Sequence, residues 1–180
     1  DEIQVMRKQV LDYSNTSSFQ RTMMIARNGY VEVDCKRIGI QSICLEEDAA
    51  RKIKEEKDHV IYRLDRLGIP LIEIVTEPDF ASSEEVENWL RQLVLTLSYI
   101  RALNKDAGIK ADVNVSIVED NGKQRTERVE IKNVTSVDAM KSAVEYEFNR
   151  QLKEGSVRET RRYDEAKGMT IRMRSKEQQD

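Results

Sequence analysis

An α+β fold, an antiparallel sheet with packed helices, is what this sequence predicts, on three observations. Asp112-Val113-Asn114-Val115-Ser116-Ile117 alternates polar and apolar residues without a break, the period of a strand with one face in a core. Two other stretches, beginning near Val86 and Val137, repeat their apolar residues every three or four positions, as a helix with one buried face does. The connections between candidate strands are short and rich in Gly and Asn-Gly, which suits antiparallel neighbours.

Residues 1–17 are weakly patterned and receive no assignment, while residues 18–180 are read as one partial domain. Met23-Met24-Ile25-Ala26 and Tyr30-Val31-Glu32-Val33 flank Asn28-Gly29, so a hairpin turn is expected there. A strand near 38–45 should run into a short helix at 46–53, opened by Glu46, Glu47 and Asp48, where a helix dipole favours acids. Two β-branched runs, 60–64 and 69–75, read as strands on either side of Gly68. Ser82-Ser83-Glu84-Glu85 is a capping box. The helix it starts carries Val86, Leu90, Leu93, Leu97 and Ile100 on one face, widened by Trp89, and should reach about Leu103. Strand 112–117 takes 124–133 as its partner around Asp120-Asn121-Gly122. A second amphipathic helix presents Val137, Met140, Val144, Phe148 and Leu152. A last hairpin joins 157–163 to 169–173 around Lys167-Gly168.

Composition narrows the functional class. The 180 residues are 39% hydrophobic and 35% charged, a globular composition with a heavily charged surface. No run approaches the ~18 apolar residues of a membrane span. The opening Asp1-Glu2-Ile3-Gln4 has no apolar signal core. With 30 basic against 33 acidic residues, the chain lacks the basic excess of a broad nucleic-acid surface, so any RNA contact should be local. The chain starts without Met and ends on Gln178-Gln179-Asp180, and is read as a fragment. Cys35 and Cys44 are too far apart for a metal knuckle and are expected to be reduced packing residues of an intracellular protein. His59, beside Asp58 in a charged loop, is read as solvated.

The candidate chemistry comes from strand register. A two-residue turn at Asn121-Gly122 would set Asp112 opposite Ile131. A three-residue Asp-Asn-Gly loop, with Gly122 left-handed, pairs Glu119 with Lys123 and sets Asp112 directly against Glu130, and Asn114 against Arg128. The second register keeps Val113, Val115 and Val129 on one face and is preferred, although it turns Arg125 and Glu127 to the apolar side. Opposed carboxylates repel, and they persist where a cation or shared proton compensates. Two readings stay open at this point: the pair holds Mg²⁺, or Arg128 and Lys132 on the same face neutralise it. Glu46 and Glu47 could equally be ordinary acids opening a helix.

Further residues carry a resemblance. Leu45-Glu46-Glu47-Asp48-Ala49, the run from Arg66-Leu67-Gly68-Ile69-Pro70 to Thr76-Glu77-Pro78-Asp79, Asp112-Val113-Asn114-Val115-Ser116 and Glu130-Ile131-Lys132-Asn133 are similar to the signature of the B-type (GatB) subunit of the tRNA-dependent aspartyl/glutamyl amidotransferases. Glu145-Tyr146-Glu147, Glu159-Thr160-Arg161 and Asp164-Glu165-Ala166-Lys167-Gly168 with Met173-Arg174-Ser175-Lys176-Glu177 continue it in order. Ser18-Phe19-Gln20-Arg21-Thr22 and Tyr62-Arg63-Leu64-Asp65-Arg66-Leu67 lean toward the archaeal E-type (GatE) subunit, but Glu130-Ile131-Lys132-Asn133 and the Met173–Glu177 tail lean toward the B type, and this longer C-terminal match assigns the resemblance to the B type.

The resemblance implies a cradle domain related to glutamine synthetase, with Mg²⁺ at its base and ATP as phosphoryl donor. There the side chain of Glu-tRNA(Gln) or Asp-tRNA(Asn) is phosphorylated and then amidated by ammonia from an amidase partner. It implies Glu47, Asp112 and Glu130 as catalytic metal ligands, Glu46 as a supporting ligand, and Arg128, Lys132 and Asn114 as phosphate or substrate contacts. The implied partners are the glutaminase/amidase (A-type) subunit with the small C-type subunit, or the D-type subunit in the archaeal branch, together with misacylated tRNA and no membrane. The implied place is the cytoplasm, or an organelle matrix in a eukaryote. The family's first strand, with its metal-binding His and Glu, is not found in residues 1–17, and Cys44 stands where a more polar residue is expected. A fragment with an incomplete metal site is therefore expected to be inactive alone. Two other classes stay in play: a non-catalytic RNA-binding or assembly module, and a small-molecule ligase acting on free glutamate.

Overall fold

The structure, a computed structural model, describes residues 21–173, with the side chains of residues 21 and 22 excepted. The N-terminal segment 1–17, motif residues 18–20 and the tail 174–180 lie outside the described residues. The chain forms two compact units, the first ending at Asp79 and the second beginning at Phe80. Strands and two helices alternate along it, as the α+β reading requires.

In the first unit, β1 (Arg21–Val33) and β2 (Lys36–Glu47) form a long antiparallel hairpin. A small separate hairpin joins β3 (Arg51–Glu55) to β4 (Val60–Arg63). β5 (Pro70–Thr76) then returns to add to the far side of β2. Ile38, Ile40, Cys44 and Glu46 are the buried side chains of β2. Two expectations are corrected here. The reversal falls at Asp34-Cys35, not Asn28-Gly29. Both turn residues have positive φ (51° and 61°), the geometry of the two-residue turn whose twist matches a hairpin. Asn28, at φ 58°, instead lies within β1 between the Arg27–Ser42 and Gly29–Ile40 pairs, which share one register, and the register shift falls between Met24 and Ala26. Residues 46–53 form no helix: Glu46 and Glu47 pair with Leu71 and Pro70, and Arg51 starts β3. Strand partners on both sides of β2 outweigh the local preference for acids at a helix start.

The second unit is one four-stranded sheet, β6 (Ala111–Val115), β7 (Val129–Val134), β8 (Glu159–Asp164) and β9 (Met169–Arg172), in that order. The β6–β7 and β8–β9 pairs are antiparallel, but β7 and β8 run parallel. Parallel neighbours need a crossover, and a helix over Val137–Glu154 (α2) supplies it. Val129, Ile131 and Val134 of β7 are buried, as are Met140 and Ala143 of α2. The preceding helix, α1 (Ser83–Ser98), lies antiparallel on α2, tied by Ser83 to Glu145, Lys141 to Glu87 and Arg91 to Asp138. It ends at Ser98 rather than near Leu103, because the chain tightens through Tyr99 and Ile100 onto Thr96 and Leu97. Ser82 caps it by accepting the Glu85 amide at 3.2 Å, while the Glu85 carboxylate reaches back to the Ala81 amide.

Candidate functional site

The hairpin between β6 and β7 decides how the candidate carboxylates meet. Its tip is as expected: the Glu119 amide donates to the Lys123 carbonyl, Val118 faces Gln124, and Gly122 sits at φ 80°. Below the tip the register changes. Val115 pairs with Val129, so residues 125–128 oppose only residues 116–117. The amides of Arg125 and Thr126 both donate to the Ile117 carbonyl, the mark of a bulge. Thr126 is turned inward, where its hydroxyl accepts the Ile117 amide at 2.7 Å and donates to Gln151 at 2.5 Å. That inward turn frees Arg125 and Glu127 to stay exposed, which the unbroken register does not allow.

Asp112 therefore does not face Glu130 directly. Asn114 does. The slip is by two residues, though, and an even slip leaves every side chain on its original face. Asp112, Asn114, Glu130 and Lys132 consequently share one face, opposite to buried Val129 and Ile131, and Thr160 and Arg162 of β8 stand beside them in register. A second irregularity sits at Asn133, whose φ of 57° accompanies the register shift between Ala111 and Val113. Asp112 closes it by accepting the Asn133 amide at 3.1 Å.

Lys132 ties the acids together. Its ammonium lies 2.6 Å from Asp112 Oδ2 and 2.8 Å from Glu130 Oε1. Partial burial pulls the Lys132 pKa down, but the bonds to Asp112 and then Glu130 outweigh that, and the net shift is upward. Neutralisation by Lys132 is thus present in the structure. Arg128 is exposed just before β7 begins, and Asn114 is exposed on β6.

Glu46 and Glu47 belong to the first unit, at the end of β2. As neighbours on one strand they point to opposite sheet faces, so they do not both line one face. Glu46 is on the buried side and Glu47 is half-buried. Next to them Asp48 accepts the Ala49 amide at 2.8 Å, and Arg66 donates to the Ala49 carbonyl. Among the described residues no group of three or more His, Cys, Asp and Glu side chains gathers around one point. The chemistry of the Asp112–Glu130 pair still fits a hard divalent cation: two carboxylate oxygens converge on one point already held by a positive group. Such an ion keeps much of its shell as water. His59 is exposed beside Glu56, and Cys44 is buried, whereas Cys35 is exposed in the β1–β2 turn rather than packed.

Hydrophobic patterning misses the most buried ionic group among the described residues. Glu147 on α2 is fully buried and accepts bonds from Arg150 (2.6 and 3.1 Å), Gln151 (3.0 Å) and Thr170 (2.7 Å). Arg161 joins Glu147 to Glu159, which also holds Arg172. This network links α2 to β8 and β9. Burial pushes the Glu147 carboxyl up, yet the Arg150, Gln151 and Thr170 bonds prevail and hold it below the usual range. Two advance signals exist: polar Glu147 and Gln151 lie four residues apart, in step with buried Met140 and Ala143, and Glu147, Glu159 and Arg161 fall in motifs that carry the resemblance, which gives them no role.

A sheet with one face packed under a helix and the other bearing an acid–amide–lysine array makes the second unit an α+β domain with an open polar face. The GatB/GatE catalytic domain pattern matches residues 1–180, and the chain belongs to that family. It is 44% identical over 160 residues to the E-type subunit of glutamyl-tRNA(Gln) amidotransferase from Methanococcus maripaludis, and 44% identical over 160 residues to that of Archaeoglobus fulgidus. Over 153 residues it is 45% identical to that of Methanosarcina acetivorans. These alignments take in 88%, 88% and 84% of this chain but 24%, 25% and 23% of the relatives. The chain spans about a quarter of the length of the curated relatives it matches. No described helix is long and apolar enough to cross a membrane.

Proposed function

We propose that this chain is part of the catalytic domain of a tRNA-dependent amidotransferase, acting with Mg²⁺ and ATP on a misacylated tRNA. The observation that carries the proposal is the convergence of Asp112 and Glu130 on one cationic point, in a chain of the GatB/GatE family. The relatives' name directs the substrate to Glu-tRNA(Gln) and to the E branch, toward which residues 18–22 and 62–67 lean, although the C-terminal motifs assign the resemblance to the B type. In the reaction a side-chain carboxylate oxygen attacks the γ-phosphorus of ATP and ADP leaves. Ammonia from the glutamine-hydrolysing partner then attacks the acyl carbon, and phosphate leaves. That partner is the D-type subunit in the E branch, or the A-type and C-type subunits in the B branch, and the setting is cytoplasmic.

Two anions must meet in the first step, and a bound divalent ion supplies the charge that lets them. Asp112 and Glu130 would hold that ion. Lys132 and Arg128 supply positive charge toward the phosphoryl group. Asn114, opposite Glu130, offers an amide to orient water or substrate.

The test is divalent-ion binding by the full-length protein, read by calorimetry with Mg²⁺ and by Mn²⁺ resonance. Asp112→Asn and Glu130→Gln should each weaken binding at least about tenfold, the loss of one carboxylate ligand, and abolish ATP-dependent phosphorylation of Glu-tRNA. Binding equal to wild type in both variants would remove this pair from the site.

A further inference from the structure

We propose that Lys132 is an internal counter-ion seated where a divalent cation would bind, so that the cation must displace its ammonium from Asp112 and Glu130 and turn it outward. This deepens the reading of the site given above and rests on it.

The geometry carries the idea. Lys132 Nζ is within 2.6 Å of Asp112 and 2.8 Å of Glu130, the two carboxylates assigned to the ion. Each of those oxygens has a lone pair committed to the ammonium. A cation coordinated by both oxygens needs the same point in space, and two positive centres cannot share it. The backbone makes the exchange feasible. Asp112 stays anchored through its other oxygen, Oδ1, on the Asn133 amide, so losing the lysine does not release the carboxylate. Lys132 itself is only half-buried on an open sheet face and has a four-carbon stem with which to swing. Its neighbour in register on β8, Arg162, is exposed on the same face, so that face opens to solvent and leaves room for the ammonium to turn outward. One lysine would thus serve twice, first holding two like charges together and then, once displaced, facing the substrate anion. Ion binding and phosphate capture become coupled.

Competition has a measurable size. If the bridged arrangement holds about nine parts in ten of the population, it weakens apparent ion affinity about tenfold.

Mn²⁺ binding to the full-length protein is therefore compared among wild type, Lys132→Met and Arg162→Met. The expected result is about tenfold tighter binding in Lys132→Met and less than about twofold change in Arg162→Met, which removes a charge from the same face without touching the acids. Equal tightening in both would reduce Lys132 to a through-space charge and overturn the proposal, as would no tightening in Lys132→Met. A second readout needs only wild type and so survives if the variant misfolds. Reductive methylation with mass-spectrometric detection should show Lys132 becoming more reactive as Mg²⁺ is added, in step with Mg²⁺ binding. Reactivity that stays flat or falls would sink the displacement. Should Asp112→Asn and Glu130→Gln bind Mn²⁺ like wild type, the failure lies in the site. If those two lose the ion while Lys132 behaves as a bystander, the failure lies in the displacement alone.

Discussion

Glu147 shows how much a single side chain can hold. It is fully buried and accepts from Arg150, Gln151 and Thr170, so its acceptor sites face protein rather than water. Breaking a buried pair by neutralising one partner leaves the other charge without compensation. Glu147→Gln should accordingly lower stability by about 3 kcal/mol, read by urea denaturation. The same group sets an acid limit. Its carboxyl titrates below the usual range in the folded protein, so between the two values the unfolded chain binds more protons. The stability it contributes is present above the unfolded carboxyl pKa and is lost as pH falls through the folded value. An unfolding series from about pH 6 to about pH 2, the span of carboxylate titration, should show that loss in wild type and a shallower one in Glu147→Gln. Little of this is legible in the sequence, because Glu147 and Gln151 resemble the wet side of a helix. Val144, Phe148 and Leu152 resemble the core stripe, yet Phe148 and Leu152 are exposed and the buried row is Met140, Ala143, Glu147 and Gln151.

Among elements, helix caps are the most legible. Ser82 and Ser136 both accept the amide three residues on, at 3.2 and 3.1 Å, and the capping box announces the first of them. Ser136→Ala should cost about 1 kcal/mol and fray the start of α2, detectable as faster amide exchange there. The β1–β2 turn escapes a linear reading for a clear reason. Asn28-Gly29 has the better turn composition, but Asp34 and Cys35 accept positive φ where the pairing of eleven β1–β2 residue couples demands it. Replacing Asp34-Cys35 by Asn-Gly should therefore stabilise the hairpin by roughly 0.5–1 kcal/mol, measured as a rise in the urea midpoint, since Gly adopts that conformation without a Cβ penalty. In the β6–β7 hairpin the face is predictable and the pairing is not. Alternation decides which residues look outward, whereas the two extra residues near Thr126 answer to Gln151, 25 positions away.

At the scale of the whole molecule, stability should be uneven. Val129 and Ile131 are fully buried at the centre of the second unit's sheet, while β3 is exposed along its entire length and, among the described residues, pairs only with β4. An isolated two-stranded hairpin is marginal in water. Native-state hydrogen exchange should find the amides of β7 slowest and those of β3 and β4 close to unprotected. Slow exchange in β3 and β4 would contradict the pattern of burial.

The α+β class, the strand faces, the cap at Ser82 and the outward set Asp112, Asn114, Glu130 and Lys132 follow from the sequence by itself, because they depend on periodicity and on neighbours a few residues apart. Family membership is legible too, since ordered motifs survive without knowledge of contacts. Only the tertiary structure decides that Asn114 and not Asp112 faces Glu130, that Lys132 bridges the acids, that 46–53 is strand and turn, and that Glu147 is a buried ionic centre. Each of those depends on bulges, sheet partners or charges distant in sequence, whose energies outweigh the local preferences that a linear reading can weigh.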